Sequence, residues 1–133
     1  MTTVLFACVH NAGRSQMAAA FFNAMADPAR ARGISAGTEP ADHVHVEVVN
    51  VMRESGIELG GAVPQRLTDD LARTANIVVT MGCGEACPVV PGVRRKDWEL
   101  PDPKGLSASA VRAIRDDIER QVSQLIQDEG LTR

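Results

Sequence analysis

No apolar run in the 133-residue sequence is long enough to cross a bilayer, which excludes a helical membrane span. Met1-Thr2-Thr3 lacks the basic stretch of a signal peptide, and the apolar run from Val4 to Val9 is too short to be its core. Charge of one sign is also scarce. The 14 Lys and Arg stand against 17 Asp and Glu, a net charge of -3, which argues against electrostatic binding of nucleic acid. Cysteine is limited to three residues, an odd number, and without a secretory signal the expected compartment is the reducing cytoplasm. A structural disulfide framework is therefore not expected, whereas catalytic, redox and metal roles stay open. No linker, repeat or low-complexity tract interrupts the chain, so one domain over residues 1–133 is expected. An apolar content of 44% beside 23% charged residues excludes a disordered chain and allows a sizeable core.

What is present is an alternation of two hydrophobic periods. Val4 to Ala7 is a short apolar run of buried-strand type. Ser15 to Met25 then carries Met17, Ala18, Phe21, Phe22 and Met25 at helical spacing, and Asp27-Pro28 stops it. Gly33 to Gly37 reads as a second strand, and Val44 to Arg53 as a helix with Val48, Val49 and Met52 facing the core and Ser55-Gly56 as its end. Asn76 to Met81 is the clearest strand, apolar throughout as in a parallel sheet covered on both faces. A loop from Gly82 to Gly92 follows, then a more polar strand from Val93 to Leu100 fit for an edge. Ser107 to Gln127 is a long amphipathic helix with Val111, Ile114, Ile118, Val122, Leu125 and Ile126 on one side, and with Arg115, Asp116 and Glu119 expected on its wet face. Strands alternating with helices predict an α/β fold, a doubly wound parallel sheet of about four strands. Its site is expected at the carboxyl ends of the strands.

The segment after the first strand carries chemistry. Cys8-Val9-His10-Asn11-Ala12-Gly13-Arg14-Ser15 places a thiol and a guanidinium six positions apart, before a helix N-terminus. The backbone N–H groups of a curled loop, from Val9, His10, Asn11, Ala12 and Gly13 onward, form an anion nest, and the helix end adds partial positive charge. Arg14 supplies a fork for two oxygens of a tetrahedral oxyanion. The same field favours the thiolate form of Cys8. Ser15 can donate to that sulfur and is expected to double as the helix N-cap. Asn11 tolerates a left-handed backbone, and Gly13 permits close approach. His10 is expected to point outward, and His43 and His45 to lie at a solvated helix start; Trp98 and the phenylalanines read as packing.

Cys83 and Cys87, four residues apart in a Gly-containing loop, leave three readings open. They can pair after modest backbone movement, which with Cys8 makes a thiol–disulfide relay, the favoured reading. They can bind zinc, for which only His43 and His45 offer further ligands. Or they are inert packed thiols. Asp102, in the turn Pro101-Asp102-Pro103-Lys104, reads equally as a turn residue or as a proton donor beside the nucleophile.

Cys-x5-Arg-Ser directly after a first strand, with Asn11 three residues beyond the Cys, resembles the phosphate loop of low-molecular-weight protein tyrosine phosphatases and of the arsenate reductases that share their fold. Gln16-Met17-Ala18 is similar to the reductases, as is Met81-Gly82-Cys83-Gly84-Glu85-Ala86-Cys87-Pro88 followed by Pro91-Gly92 and Asp97-Trp98. The likeness runs from Val4 to Ile126, with a shorter spacing between the two later cysteines than in the best-known members. It implies an arsenate reductase: Cys8 attacks arsenate held by the loop and Arg14, and Asp102, in the family's Asp-Pro pair, protonates the leaving hydroxide. Cys83 then attacks Cys8 and expels arsenite, and Cys87 resolves the bond into Cys83–Cys87 on a mobile loop open to thioredoxin or a similar redox protein. No cofactor is implied. Some reductases bind potassium through a Glu shortly after the loop; Ala19 stands at that place and Pro64 restores no ligand, so no metal is expected. A phosphatase acting through phospho-Cys8 is the alternative, against which stand the cysteine pair and the absence of tyrosine. A thiol or metal sensor would leave Arg14, Ser15 and Asp102 without a role.

Overall fold

The computed structural model describes residues 1–83, 87 and 89–133; Gly84, Glu85, Ala86 and Pro88 of the Cys-rich loop lie outside the described residues. In chain order the elements are β1 (Thr2–Cys8), α1 (Arg14–Met25), β2 (Ala31–Gly37), α2 (Val46–Glu54), α3 (Asp69–Arg73), β3 (Ile77–Thr80), β4 (Arg94–Asp97) and α4 (Ala108–Asp128). The four strands form one sheet in the order β2-β1-β3-β4, with every neighbouring pair parallel. Parallel strands need crossover connections, and α1 supplies the first of them. The expected doubly wound α/β sheet is the observed one.

Strand periodicity divides the core. Val4, Phe6 and Cys8 of β1 face the larger cluster, with Ile77 and Val79 of β3 and the inner sides of α1, α2 and α4. Leu5 and Ala7 face the smaller one, with Val78, Ala36, Ala72, Cys83 and Cys87. The unbroken apolar character of β1 and β3 follows, because both faces of each strand are covered. β4 lies at the edge, and its Arg94, Arg95 and Asp97 are exposed, as its polar sequence predicts. All six expected core positions of α4 are buried.

Three details differ from the sequence expectations. In α2 the buried residues are Val48, Val51 and Met52, while Val49 is only half-buried: the helix begins at Val46, and its core face runs through residue 51 rather than 49. Arg115 is not on the wet face of α4. Its side chain is 12% exposed and donates to the Val51 carbonyl (2.8 Å), to Glu54 (2.8 Å) and to Asp116 (2.8 Å), tying α4 to the C-terminal end of α2. The short helix α3, capped by Thr68, was not apparent from periodicity, since five residues hold barely more than one turn.

The loops that follow β1, β3 and β4 emerge at the same end of the sheet. β1 is central, and the chain leaves it toward β2 on one side and reaches β3 on the other, so the crevice at this end is the topological switch point.

Candidate active site

The loop between β1 and α1 is held by its carbonyls. Cys8 O accepts from Thr38 N (3.2 Å), Val9 O from Glu39 N (2.8 Å), His10 O from Ala41 N (2.9 Å) and Ala12 O from His45 N (3.0 Å). Gly13 O accepts from Met17 N (3.0 Å) in the first turn of α1, and Asn11 O from the Gln16 side chain (3.1 Å). Six successive carbonyls are thus engaged, while the Asn11 N–H turns to the Cys8 sulfur (3.3 Å). That is the arrangement of an anion nest, at the N-terminus of a 12-residue helix. Asn11 takes the one positive φ found at a non-glycine residue among those described, +50°. Asparagine adopts that conformation at little strain.

The sulfur of Cys8 sits at the base of this nest, 2% exposed. It accepts from Asn11 N (3.3 Å) and lies 2.8 Å from Ser15 Oγ. The surrounding donors settle the direction of that second bond. The backbone N–H of Gln65 donates to Asn11 Oδ1 (2.9 Å), which fixes the amide so that Asn11 Nδ2 donates to Ser15 Oγ (2.7 Å). With its oxygen already accepting, Ser15 is free to turn its hydrogen to Cys8. Ser15 lies within α1, however, and is not its N-cap; Gly13 occupies that position without a side-chain bond. The Ser15 hydroxyl is spent on Cys8 and Asn11 instead.

Arg14 is 7% exposed, and its guanidinium lies beside Gly82. Nη1 donates to the Leu100 carbonyl (3.2 Å) and Nη2 lies 4.0 Å from Asp102. Asp102 is itself partly open to solvent and accepts from Lys104 N (3.0 Å), which sets the carboxylate within a tight turn. Pro103 presses on Gly13: a Cβ at residue 13 would come within 2.6 Å of the proline ring. Close approach is needed at Gly37 too, where a Cβ would fall 2.5 Å from Val9 O.

Of the other loop residues, Val9 packs its side chain on the smaller cluster, and His10 points outward, its ring bonded to Glu39 O (3.1 Å). Both contribute backbone only. His45 departs from expectation. It is the N-cap of α2, half-buried, with its ring beside Gly13 rather than at a solvated helix start. Burial pushes its imidazole below the ordinary range; Asp102 opposes that, while His10, Lys104 and His43 add to it.

Cys83 and Cys87 are joined in a disulfide with Cα atoms 5.5 Å apart, and Cys8 is free. This pairing uses both thiols that a zinc site would need. Cys83 Sγ lies 3.9 Å from the Ala7 carbonyl, one residue from Cys8 but on the opposite face of the sheet. The expectation that the pair stands open to a reductant is not met: Cys83 is 7% and Cys87 2% exposed, since both complete the smaller core cluster. Cys8, Arg14, Ser15, Asn11 and Asp102 converge at one place, and Cys83 approaches it through β1. Reading the sequence missed Gln65, Leu100 and Gly82. Glycine at residue 37, the last of β2, and at residue 82, just beyond β3, was the available signal.

Residues 3–132 match the sequence pattern of the low molecular weight phosphotyrosine protein phosphatase family. A Halobacterium salinarum relative is 43% identical over 131 residues, covering 92% of this chain and 89% of its own. The glutaredoxin arsenate reductase of Synechocystis is 31% identical, covering 95% of this chain and 97% of its own. Among solved structures, a Corynebacterium glutamicum thioredoxin-dependent arsenate reductase superposes with a TM-score of 0.84 at 38% identity; the match takes in 96% of this chain but spans 61% of that one. The fold, the Cys8 loop and these likenesses agree: the chain belongs to the low-molecular-weight phosphotyrosine protein phosphatase family, in its arsenate reductase branch.

Proposed function

We propose that residues 1–133 act as a single-domain arsenate reductase in which Cys8, Cys83 and Cys87 form a thiol–disulfide relay. The observation that carries this reading is the division of the cysteines: a free Cys8 at the base of an anion nest, and Cys83 and Cys87 already paired beside β1. A thiolate at Cys8, supported by Ser15 and Asn11, attacks arsenic while the N–H groups of residues 9–14 and the Arg14 guanidinium hold the oxygens. Asp102 gives a proton to the departing hydroxide. Cys83 thiolate then attacks the Cys8 sulfur; the sulfur–arsenic bond breaks, its electron pair leaves with arsenic, and arsenite departs. Cys87 thiolate attacks Cys83, releasing Cys8 and leaving the Cys83–Cys87 bond of this structure. Substrate binding therefore falls to Val9, His10, Asn11, Ala12, Gly13 and Arg14, and the chemistry to Cys8, Arg14, Ser15, Asp102, Cys83 and Cys87.

The reductant that returns Cys83–Cys87 to thiols is a dithiol protein of the thioredoxin type, in a reducing compartment such as the cytoplasm. The likeness to the thioredoxin-dependent arsenate reductase of Corynebacterium glutamicum supports this partner, and the likeness to the glutaredoxin arsenate reductase of Synechocystis makes glutaredoxin the other candidate. A phosphatase would use the same nest and acid, but hydrolysis of a phosphorylated thiol gives the cysteine pair no work.

The test is arsenate-dependent NADPH oxidation with thioredoxin and thioredoxin reductase, for the wild type and for Cys87→Ser. Turnover lost in the variant, with one arsenite still formed per enzyme, is the expected result. Rapid aryl-phosphate hydrolysis without arsenate turnover under either donor system would replace reductase by phosphatase.

A further inference from the structure

Five of the six carbonyls that hold the nest are paired with backbone N–H groups; Asn11 O is paired with a side chain. That side chain is Gln16, 6% exposed, on the first turn of α1. Its Nε2 stands 3.1 Å from Asn11 O and 3.1 Å from Asn11 Oδ1, so one amide group bridges the main-chain and side-chain oxygens of the same residue. Both contacts are acceptors, which leaves the Gln16 amide one orientation. Asn11 is also the residue with φ +50°, where the loop turns back on itself. From Asn11 the bonds continue to Ser15 Oγ (2.7 Å) and from there to Cys8 Sγ (2.8 Å).

We propose that Gln16 is a positioning residue for the oxyanion loop: by bridging the two oxygens of Asn11 it holds the nest curled and aims the Ser15 hydroxyl at Cys8. Gln16 touches neither the sulfur nor the oxyanion. Without its two donors, Asn11 O is left unpaired in a buried setting, and Oδ1 keeps only Gln65 N. The main chain at Asn11 then relaxes, the Asn11 N–H drifts from the sulfur, and the Ser15 oxygen loses its fixed donor.

The inference rests on Cys8 being the reactive thiol, but its test needs neither arsenate turnover nor a reductant, so the two fail separately. In the oxidised protein Cys8 is the single free thiol, and iodoacetamide labels it alone. Labelling rate is measured against pH for the wild type, for Gln16→Glu, which keeps the shape and removes the donors, and for Gln16→Met, which removes polarity. Inorganic phosphate, added in increasing amounts, reports the nest by protecting the thiol. Both variants are expected to change the labelling profile and to weaken phosphate protection about threefold to tenfold, the loss of one to two hydrogen bonds. Unchanged profile and protection in folded variants overturn the proposal. So does unfolding of both variants by far-ultraviolet circular dichroism, which makes Gln16 a stability residue instead.

Discussion

Gly82 stands at φ +96°, and a Cβ there would overlap Nη1 of Arg14. Two demands meet in one residue: a left-handed backbone as β3 gives way to the Cys-rich loop, and room for a buried guanidinium. Gly82→Ala pays the strain of a positive φ and pushes the Arg14 fork out of line with the nest. Misplacement by about 1 Å lowers kcat/KM by about a hundredfold. The arsenate assay with thioredoxin is expected to show that loss mainly in arsenate KM; a wild-type KM would mean that Arg14 is placed by other contacts. Gly13 is constrained differently, by the Pro103 ring, so the turn bearing Asp102 rests on the loop bearing Cys8. Of these constraints the sequence reveals the residue types, since Cys, Asn, Gly and Arg at that spacing have few other uses. It does not reveal the partners. Leu100 O, Gln65 N and His45 N reach the loop from 86, 54 and 33 residues away respectively.

At the scale of elements, α2 carries His45 at its start and leans on α4 at its end. Glu54 accepts from both Arg112 and Arg115, and those side-chain bonds hold its carboxyl below the ordinary carboxylate range. Arg115 adds a bond to the Val51 carbonyl, one of the last four of α2, which have no partner within the helix. A cation placed there also complements the helix dipole. Arg115→Met keeps the aliphatic stem and removes these bonds, with an expected loss of about 1 kcal/mol, read as a lower urea midpoint at unchanged slope. A midpoint equal to the wild type would show that the Arg115 bonds add nothing to the joint between the two helices. Periodicity placed α4 and its six core residues correctly, because each apolar position repeats the same demand. It misassigned Arg115, whose long charged side chain reads as solvent-facing in any pattern.

For the molecule as a whole, the pH dependence of stability has a contributor at the site. The His45 imidazole is held below its ordinary 6.5, chiefly by burial, so the unfolded chain takes up a proton that the folded chain refuses. Stability from neutral His45 is therefore fully present above about pH 6.5 and is lost as pH falls below it. His45→Gln keeps the backbone N–H that holds Ala12 and is expected to flatten the decline in unfolding free energy between about pH 7 and about pH 5. Equal slopes in the two proteins would remove His45 from that role.

The parallel sheet, the strand–loop–helix nest and the two cysteine groups were determined by the sequence itself. Each depends on neighbours within a few residues: unbroken apolar runs for covered strands, a Cys-to-Arg spacing for the loop, a four-residue interval for the pair. Tertiary structure alone decided that Cys83 and Cys87 lie across the sheet from Cys8, buried among Leu5, Ala7 and Val78. It alone also brought His45, Gln65 and Leu100 to the loop. The physical reason is that a parallel sheet joins strands distant in sequence, and alternation along β1 sends adjacent residues to opposite cores.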